Sequence, residues 1–401
     1  MVGVYPFVGS YVKPAFARRV PAPAFDSMSG TERTNYLETH PESYTLVTRS
    51  PGDGGPDDDS SPDRLIEMGG EALQRILCSQ AFVDLDTPSF FLYRLTLDDH
   101  VQLGVVGQIE TSGYLDGRVK RHEQISLKRA THLSNHFEQL GVHSSPIALG
   151  YRADPAIRSR LNTILDRSDP VLSFTSGDGL EQAVWVVDDE QDCATLTASF
   201  AGHDLYIMDG HHRAAAAGEL AKSIGSPRGD YMLGVLFSDD RLNIDPFHRR
   251  VTIEPDQDLA VLEQELTELL GLLPEPELET GLPRDPGQIG VYLAGRWWSG
   301  TLPAVLSDSP LDAIDPVRLQ RQVIGPVLGV DPATSAGQIS YFLEANRGAV
   351  VESADERTIL FILRSVTPAE VFAVADAGLD MPPKSTYVTP KPRSGVFLRR
   401  F

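Results

Sequence analysis

Two periods of apolar and polar residues alternate along this chain, and together they predict a mixed α/β fold. Period-two runs predict strands at 44–48, 90–97, 101–109, 146–151, 171–175 and 181–187, with 90–97 and 101–109 paired as a hairpin across Asp98-Asp99-His100. Tyr231-Met-Leu-Gly-Val-Leu-Phe is apolar throughout, the pattern of a strand covered on both faces. Helical spacing is read at 64–83, 118–140, 154–166 and 192–200, and a capping box of Ser29 with Glu32 opens a short helix before them. Beyond these come a helix at 258–273, strands at 288–294 and 296–302, a helix at 315–328, a strand at 358–363 and a helix at 367–377. Residues 51–62, rich in Gly, Pro and Asp, read as a loop. Breakers and acids after residue 273 set a soft boundary. The expected organisation is an N-terminal α/β domain over 1–255, a helix and linker over 256–287, and a C-terminal α/β region over 288–401.

The chain is organised around Asp204-Leu-Tyr-Ile-Met-Asp-Gly-His-His-Arg-Ala-Ala-Ala-Ala. A strand pattern stops at Asp209-Gly210 and an alanine-rich helix begins at once. The first turn of a helix has unpaired N–H groups and a partial positive charge, so it favours an anion such as phosphate. Gly210 allows close approach, Arg213 adds a forked donor, and the alanines permit tight packing behind. The plainer alternative is that His211 and His212 cap the helix while Arg213 makes an ordinary ion pair. Zinc is disfavoured, because neighbouring helical histidines point about 100° apart and no Cys-x-x-Cys or His-x-x-x-His accompanies them.

Charge narrows the partners. The 401 residues carry a net charge of -21 with a pI near 4.8, which repels nucleic acid and anionic membranes. Two basic islands interrupt this acidity: Arg118, Lys120, Arg121, Lys128 and Arg129, and a tail from Met381 to Phe401 with five Lys and Arg and no acid. A solvated helix face and a solvated tail are the plain readings of the two. On one helix from 118 to 140, Arg121, Lys128 and Arg129 would share a face. Cys78 and Cys193 both sit in apolar helical patterns and read as small buried hydrophobes rather than a disulfide framework. The N-terminal segment has no signal-peptide pattern and no apolar run of about 18 residues occurs, so a cytoplasmic protein is expected.

No Walker A, Gly-x-Gly-x-x-Gly, Gly-x-Ser-x-Gly or His-Glu-x-x-His pattern is present. What remains suits phosphoryl transfer, which needs positioning, charge neutralisation and a base near the attacking hydroxyl. Gly210, His211, His212, Arg213, Lys120, Arg121, His248, Arg249 and Lys384 are the expected phosphate and cofactor contacts. Asp209 is the expected magnesium ligand, and Glu123 or His122 the proton acceptor. For Glu123 the rival reading is an intrahelical ion pair with Lys120.

Four blocks, Val119-Lys-Arg-His-Glu, Tyr206-Ile-Met-Asp-Gly-His-His-Arg, Pro246-Phe-His-Arg and Met381-Pro-Pro-Lys-Ser-Thr-Tyr, resemble domain-of-unknown-function family 1015 over nearly the whole chain. The Gly-x-His-Arg element is similar to the phosphate motif of the ParB and sulfiredoxin superfamily, whose members include a CTP-dependent DNA partitioning switch, an ATP-dependent sulfinic acid reductase and free serine kinases. The resemblance implies a ParB/sulfiredoxin-like nucleotide-binding core with a C-terminal α/β extension. It also implies that Gly210 to Arg213 hold nucleotide phosphates, with Asp209 near the metal. Sulfiredoxin's reactive cysteine is replaced here by His211, which disfavours thiol chemistry. Acidity and the lack of a helix-turn-helix disfavour DNA partitioning. At the N-terminus the family's Pro-Tyr-Asp is replaced by Pro23-Ala24-Phe25-Asp26, a change that bears on the substrate.

The expected function is therefore an ATP- or ADP-dependent phosphotransferase using magnesium and acting on a small hydroxyl metabolite, L-serine first. A homodimer is compatible with the chain. A non-catalytic nucleotide-binding switch or scaffold, and a phosphatase or nucleotide hydrolase, are the alternatives.

Overall fold

The computed structural model describes residues 2–24, 28, 30–49, 60–225, 227–275, 277, 281–305, 307–332, 334–335 and 337–401. Phe25, Asp26, Ser29 and most of the acidic loop expected at 51–62 lie outside them. The fold is mixed α/β, and the chain divides into two compact units. Met1–Arg121, Ile125–Leu242 and Pro390–Phe401 form the first; His122–Gln124 and Asn243–Thr389 form the second.

The first unit is built on a nine-stranded sheet. Its strands run in the order Val119–Lys120, Leu205–Asp209, Ile147–Tyr151, Tyr231–Ser238, His100–Glu110, Phe90–Leu97, Glu181–Val187 and Leu172–Thr175, with Val4–Tyr5 added beside His100–Glu110. The hairpin forms as its pattern requires, with Leu97 opposite His100 and Asp98 in the left-handed region at φ 51°. Tyr231–Ser238 is central, flanked by Ile147–Tyr151 in parallel and His100–Glu110 antiparallel, which explains its continuous apolar run. Helices Pro155–Leu165, Glu190–Phe200 and His211–Ile224 contribute Ile157, Leu161, Leu196, Phe200, Ala214 and Ala217 to the core.

The second unit has an antiparallel six-stranded sheet ordered Leu273–Pro274, Arg296–Thr301, Gln288–Leu293, Thr358–Ile362, Phe247–Thr252 and Ile339–Leu343. Helix Leu259–Leu270 packs Leu262, Leu266 and Leu270 into its core. A two-stranded ribbon of Asn243–Asp245 and Tyr387–Thr389 leads into the Phe247–Thr252 strand.

Several expectations are corrected. The division of the chain falls at 242/243 rather than 255, because Phe247–Thr252 is an interior strand of the second sheet. The helix expected at 258–273 forms over Leu259–Leu270 and belongs to that unit's core instead of standing between two regions. Residues 44–48 form a buried 3₁₀ turn, Tyr44–Leu46, in which the Ser43 hydroxyl accepts from the Thr45 N–H. The helix expected from 118 starts only at Leu127, capped by Ser126; Val119–Lys120 is instead a strand recruited by Leu205–Tyr206. Cys78 is exposed, while Cys193 is buried as expected. The basic tail is no solvated appendage: Phe397–Arg400 pairs with Ser10–Val12 and Val142–His143, and Arg393 and Arg399 are each 6% exposed.

Two predictions follow from buried polar groups. Asp315, 1% exposed, accepts from the Gly287 N–H, Arg318 and Arg364. Asp315→Ala leaves those guanidinium groups without their buried counter-ion and should cost about 3–5 kcal/mol in urea unfolding of the protein. His143 is buried beside Arg399, and burial first, with the neighbouring cation second, holds its imidazole well below the ordinary value of 6.5. The unfolded chain therefore binds its proton more readily, so His143 stabilises the fold above pH 6.5 and this contribution is lost as pH falls below it. Unfolding curves between pH 7 and 5 should show the loss, with a shallower slope in His143→Gln.

Candidate functional site

The Leu205–Asp209 strand lies between Val119–Lys120, parallel to it, and Ile147–Tyr151, antiparallel. Its pairing with the latter shifts between Ile207 and Asp209, so Met208 is an extra residue, a bulge that turns the strand end. Gly210 follows at φ 95°, in the left-handed region, and is the N-cap of helix His211–Ile224. No side chain caps this helix. A Cβ at Gly210 would stand 2.8 Å from the Arg213 guanidinium, so glycine is required both by backbone conformation and by the side chain folded back over it.

Asp209 organises the charges at this turn. Its Oδ1 accepts from Lys391 Nζ at 2.7 Å, and its Oδ2 accepts from Arg213 Nη2. Arg213 Nη1 also donates to the Pro146 carbonyl at 2.5 Å. Burial pushes the carboxyl upward, but Lys391 and then Arg213 outweigh it and hold it well below the usual carboxylate range. The ion pair that the plainer reading expected for Arg213 is present, and it is half-buried and shared with a second cation. Lys391 is 8% exposed at its side chain and comes from the segment that rejoins the first unit. Two cations face this carboxylate beside a helix start, an arrangement that suits an anionic ligand. Magnesium fits Asp209 poorly, because both oxygens it would bind already carry cations.

A second helix starts alongside. The Ser126 N–H donates to His212 Nε2 at 3.1 Å, so that nitrogen is unprotonated and the ring neutral. Burial, and then the charge of Arg129, lowers the His212 pKa and keeps it so. Helices Leu127–Leu140 and His211–Ile224 pack against each other, with Arg129 exposed in the first turn of the former. Lys120 is committed elsewhere: its Nζ pairs with Asp204 at 2.8 Å and lies 5.3 Å from the Tyr206 ring centroid. Arg121 is exposed and belongs to no helix. The intrahelical pair of Lys120 with Glu123 is thereby removed, since the helix it needed is absent.

The remaining expected residues gather in the second unit. The Met381 N–H donates to the His122 carbonyl at 2.6 Å, and His122 Nε2 lies 3.4 Å from the Thr386 hydroxyl. Glu123 bridges Met381 and is half-buried. His248 is fully buried, inside the strand rather than before it; its Nδ1 accepts from the Leu363 N–H and its Nε2 donates to Glu344 at 2.8 Å. Burial lowers its pKa against the opposing pull of Glu344. With both nitrogens used and no exposed surface, His248 is a structural residue and not a ligand contact. Arg249, on the opposite face of that strand, is 3% exposed. Lys384 is exposed, in a turn, at φ 60°.

The sequence reading of the Asp209 to Arg213 turn did not include Lys391, which the structure pairs with Asp209. The only signal was its place in a basic Pro-Lys-Pro-Arg stretch, which reads as tail.

Residues 4–321 match the family model described as Protein of unknown function (DUF1015), and the chain belongs to that family. No curated protein matches the chain. Solved structures similar to it include SbnI with C-terminal truncation from Staphylococcus aureus, with 12% identity, TM-score 0.38, and coverage of 72% of this chain and 85% of that one. Another is a free serine kinase mutant in complex with ADP, with 16% identity, TM-score 0.36, and coverage of 73% and 91%. A conserved hypothetical protein from Pyrococcus furiosus has 15% identity, TM-score 0.34, and coverage of 73% and 93%. Among the described residues no helix is long and apolar enough to cross a membrane.

The Gly210 geometry is directly testable. Gly210→Ala should cost about 1–2 kcal/mol through the left-handed backbone alone, and more from the displaced guanidinium, measured as a lowered midpoint in chemical denaturation.

Proposed function

We propose that this DUF1015 member binds the phosphates of ATP or ADP at the Asp209 turn and transfers a phosphoryl group to the hydroxyl of a small cytoplasmic metabolite, with L-serine as the first acceptor to try. The observation that carries the reading is an uncapped helix start at a left-handed glycine, faced by Arg213 and Lys391 and oriented by one ionised carboxylate. We infer that this strand–turn–helix is the phosphate motif of the ParB and sulfiredoxin-like superfamily.

In this reading each residue has a separate task. Arg213 and Lys391 neutralise charge on the phosphates, and backbone N–H groups of the helix start orient them. Asp209 is a positioning residue that holds both cations ready, so that little reorganisation is needed when the anion arrives. Glu123 accepts the proton as the acceptor oxygen attacks phosphorus, and the remaining nucleotide departs with the electron pair of the broken P–O bond. His122, buried beside the Glu123 backbone, fixes the local chain through its carbonyl. Magnesium, where present, would lower the charge on the phosphates; the residues at Asp209 do not provide its ligands.

Incubating the protein with ATP or ADP and a panel of free amino acids and polyols, followed by phosphorus NMR, tests the reaction. A new phosphomonoester signal with serine is expected. Arg213→Ala should weaken nucleotide binding at least about tenfold, as read by calorimetry. Glu123→Gln should bind nucleotide normally yet transfer nothing. Unchanged affinity in Arg213→Ala would sink the phosphate assignment, and binding without transfer to any acceptor or to water would leave a nucleotide-responsive switch.

A further inference from the structure

Arg249 is a buried cation without a counter-ion. It is 3% exposed, and its guanidinium makes one hydrogen bond, from Nη1 to the Phe247 carbonyl at 2.7 Å. Its Cζ lies 4.6 Å from the centroid of the Tyr341 ring. No carboxylate among the described residues pairs with it, and its Nε–H and Nη2 donors have no acceptor. A structural arginine in a core is normally met by an acid, as Arg364 is met by Asp315 and Glu370 in the same unit. Burial lowers the Arg249 pKa to about 10, so the group is still charged near neutrality.

A second cation rests on the same residue. Lys384 Nζ lies 5.0 Å from the centroid of the Phe247 ring, and no acid among the described residues pairs with it either. Its backbone is held at φ 60°, a conformation that costs a non-glycine residue about 1 kcal/mol or more. The turn is fixed by the Ser385 hydroxyl donating to the Pro382 carbonyl at 2.8 Å and by the ribbon that pairs Tyr387 with Asp245. The Tyr387 ring meets Phe247 edge-on at 5.7 Å. Phe247 thus links the two cations, through its carbonyl to Arg249 and through its ring to Lys384.

We propose that Arg249 and Lys384 form an oxyanion receptor in the second unit, which takes the carboxylate or phosphate of a small ligand. Arg249 supplies a preorganised planar fork, matched to two oxygens of either group; Lys384, exposed, supplies a mobile charge above it. Phe247 and Tyr341 provide apolar walls that strengthen both interactions by excluding water. The ligand replaces the missing acid. Arg249 and Lys384 were expected among the phosphate contacts; the receptor takes them as a site of their own, tested separately because neither belongs to the Asp209 turn.

The test is direct observation of the Arg249 Nε–H signal by nitrogen–proton NMR of the full-length protein during separate titrations with acetate, inorganic phosphate and L-serine. A saturable shift is expected with at least one of them, and the probe acting at the lowest concentration separates a carboxylate from a phosphate receptor. Lys384→Met, at an exposed position, should weaken that titration about tenfold, and Arg249→Lys, which removes the reporter, should show no saturable binding of the same probe by calorimetry even though charge is retained. Arg213→Ala should leave the Arg249 titration unchanged, which keeps this result distinct from failure or success at the Asp209 turn. The proposal is overturned if none of the three probes moves the Arg249 signal saturably, or if Lys384→Met titrates like the unsubstituted protein.

Discussion

The ionised carboxylate of Asp209, held between Lys391 and Arg213, is the interaction on which the first unit's functional geometry depends. A partly buried charge is stabilised by pairing, and here the pairing joins the Asp209–Arg213 turn to a lysine 182 positions away in sequence. The bulge at Met208 turns the strand end, the left-handed Gly210 makes room for the Arg213 side chain, and the C-terminal segment delivers Lys391. Remove the carboxylate and two cations face each other at a helix start that is itself positive. Their mutual repulsion is what Asp209 offsets.

Neutral histidines form the other half of the electrostatic design. His212, His143 and His248 each have a depressed pKa, with burial as the leading cause, and two of them are fixed as neutral by a backbone N–H that donates to a ring nitrogen. They add no charge at neutral pH. Positive potential in the first unit is thus concentrated on arginine and lysine side chains, whose protonation does not change across the physiological range.

The second unit holds its buried arginines in two ways. Asp315 collects Arg318 and Arg364 into a satisfied network whose role is cohesion. Arg249 has an aromatic ring and one carbonyl instead. Arg399 in the first unit is likewise buried against neutral partners, Gln108 and His143, so a counter-ion is one way of holding a buried guanidinium and hydrogen bonds to neutral groups are another.

Local chemistry was legible in the sequence wherever the cause was local. The hairpin at Asp98-Asp99, the two-sided apolar strand at Tyr231, the Asp154-capped helix and the strand–glycine–helix turn at Asp209 all follow from periodicity, capping and backbone permissiveness within a few residues. Tertiary structure decided the rest. It turned Val119–Lys120 from a helix start into a strand, because pairing with Leu205–Tyr206 outweighs a weak helical preference. It placed His248 in a sheet interior, where Leu363 and Glu344 consume both nitrogens, and it brought Lys391 to Asp209 across 182 positions of sequence. Helical and strand periods report a residue's neighbours along the chain, whereas ion pairing and burial depend on neighbours in space. That is why the strand–glycine–helix turn could be read from the sequence alone, and the lysine that pairs with its carboxylate could not.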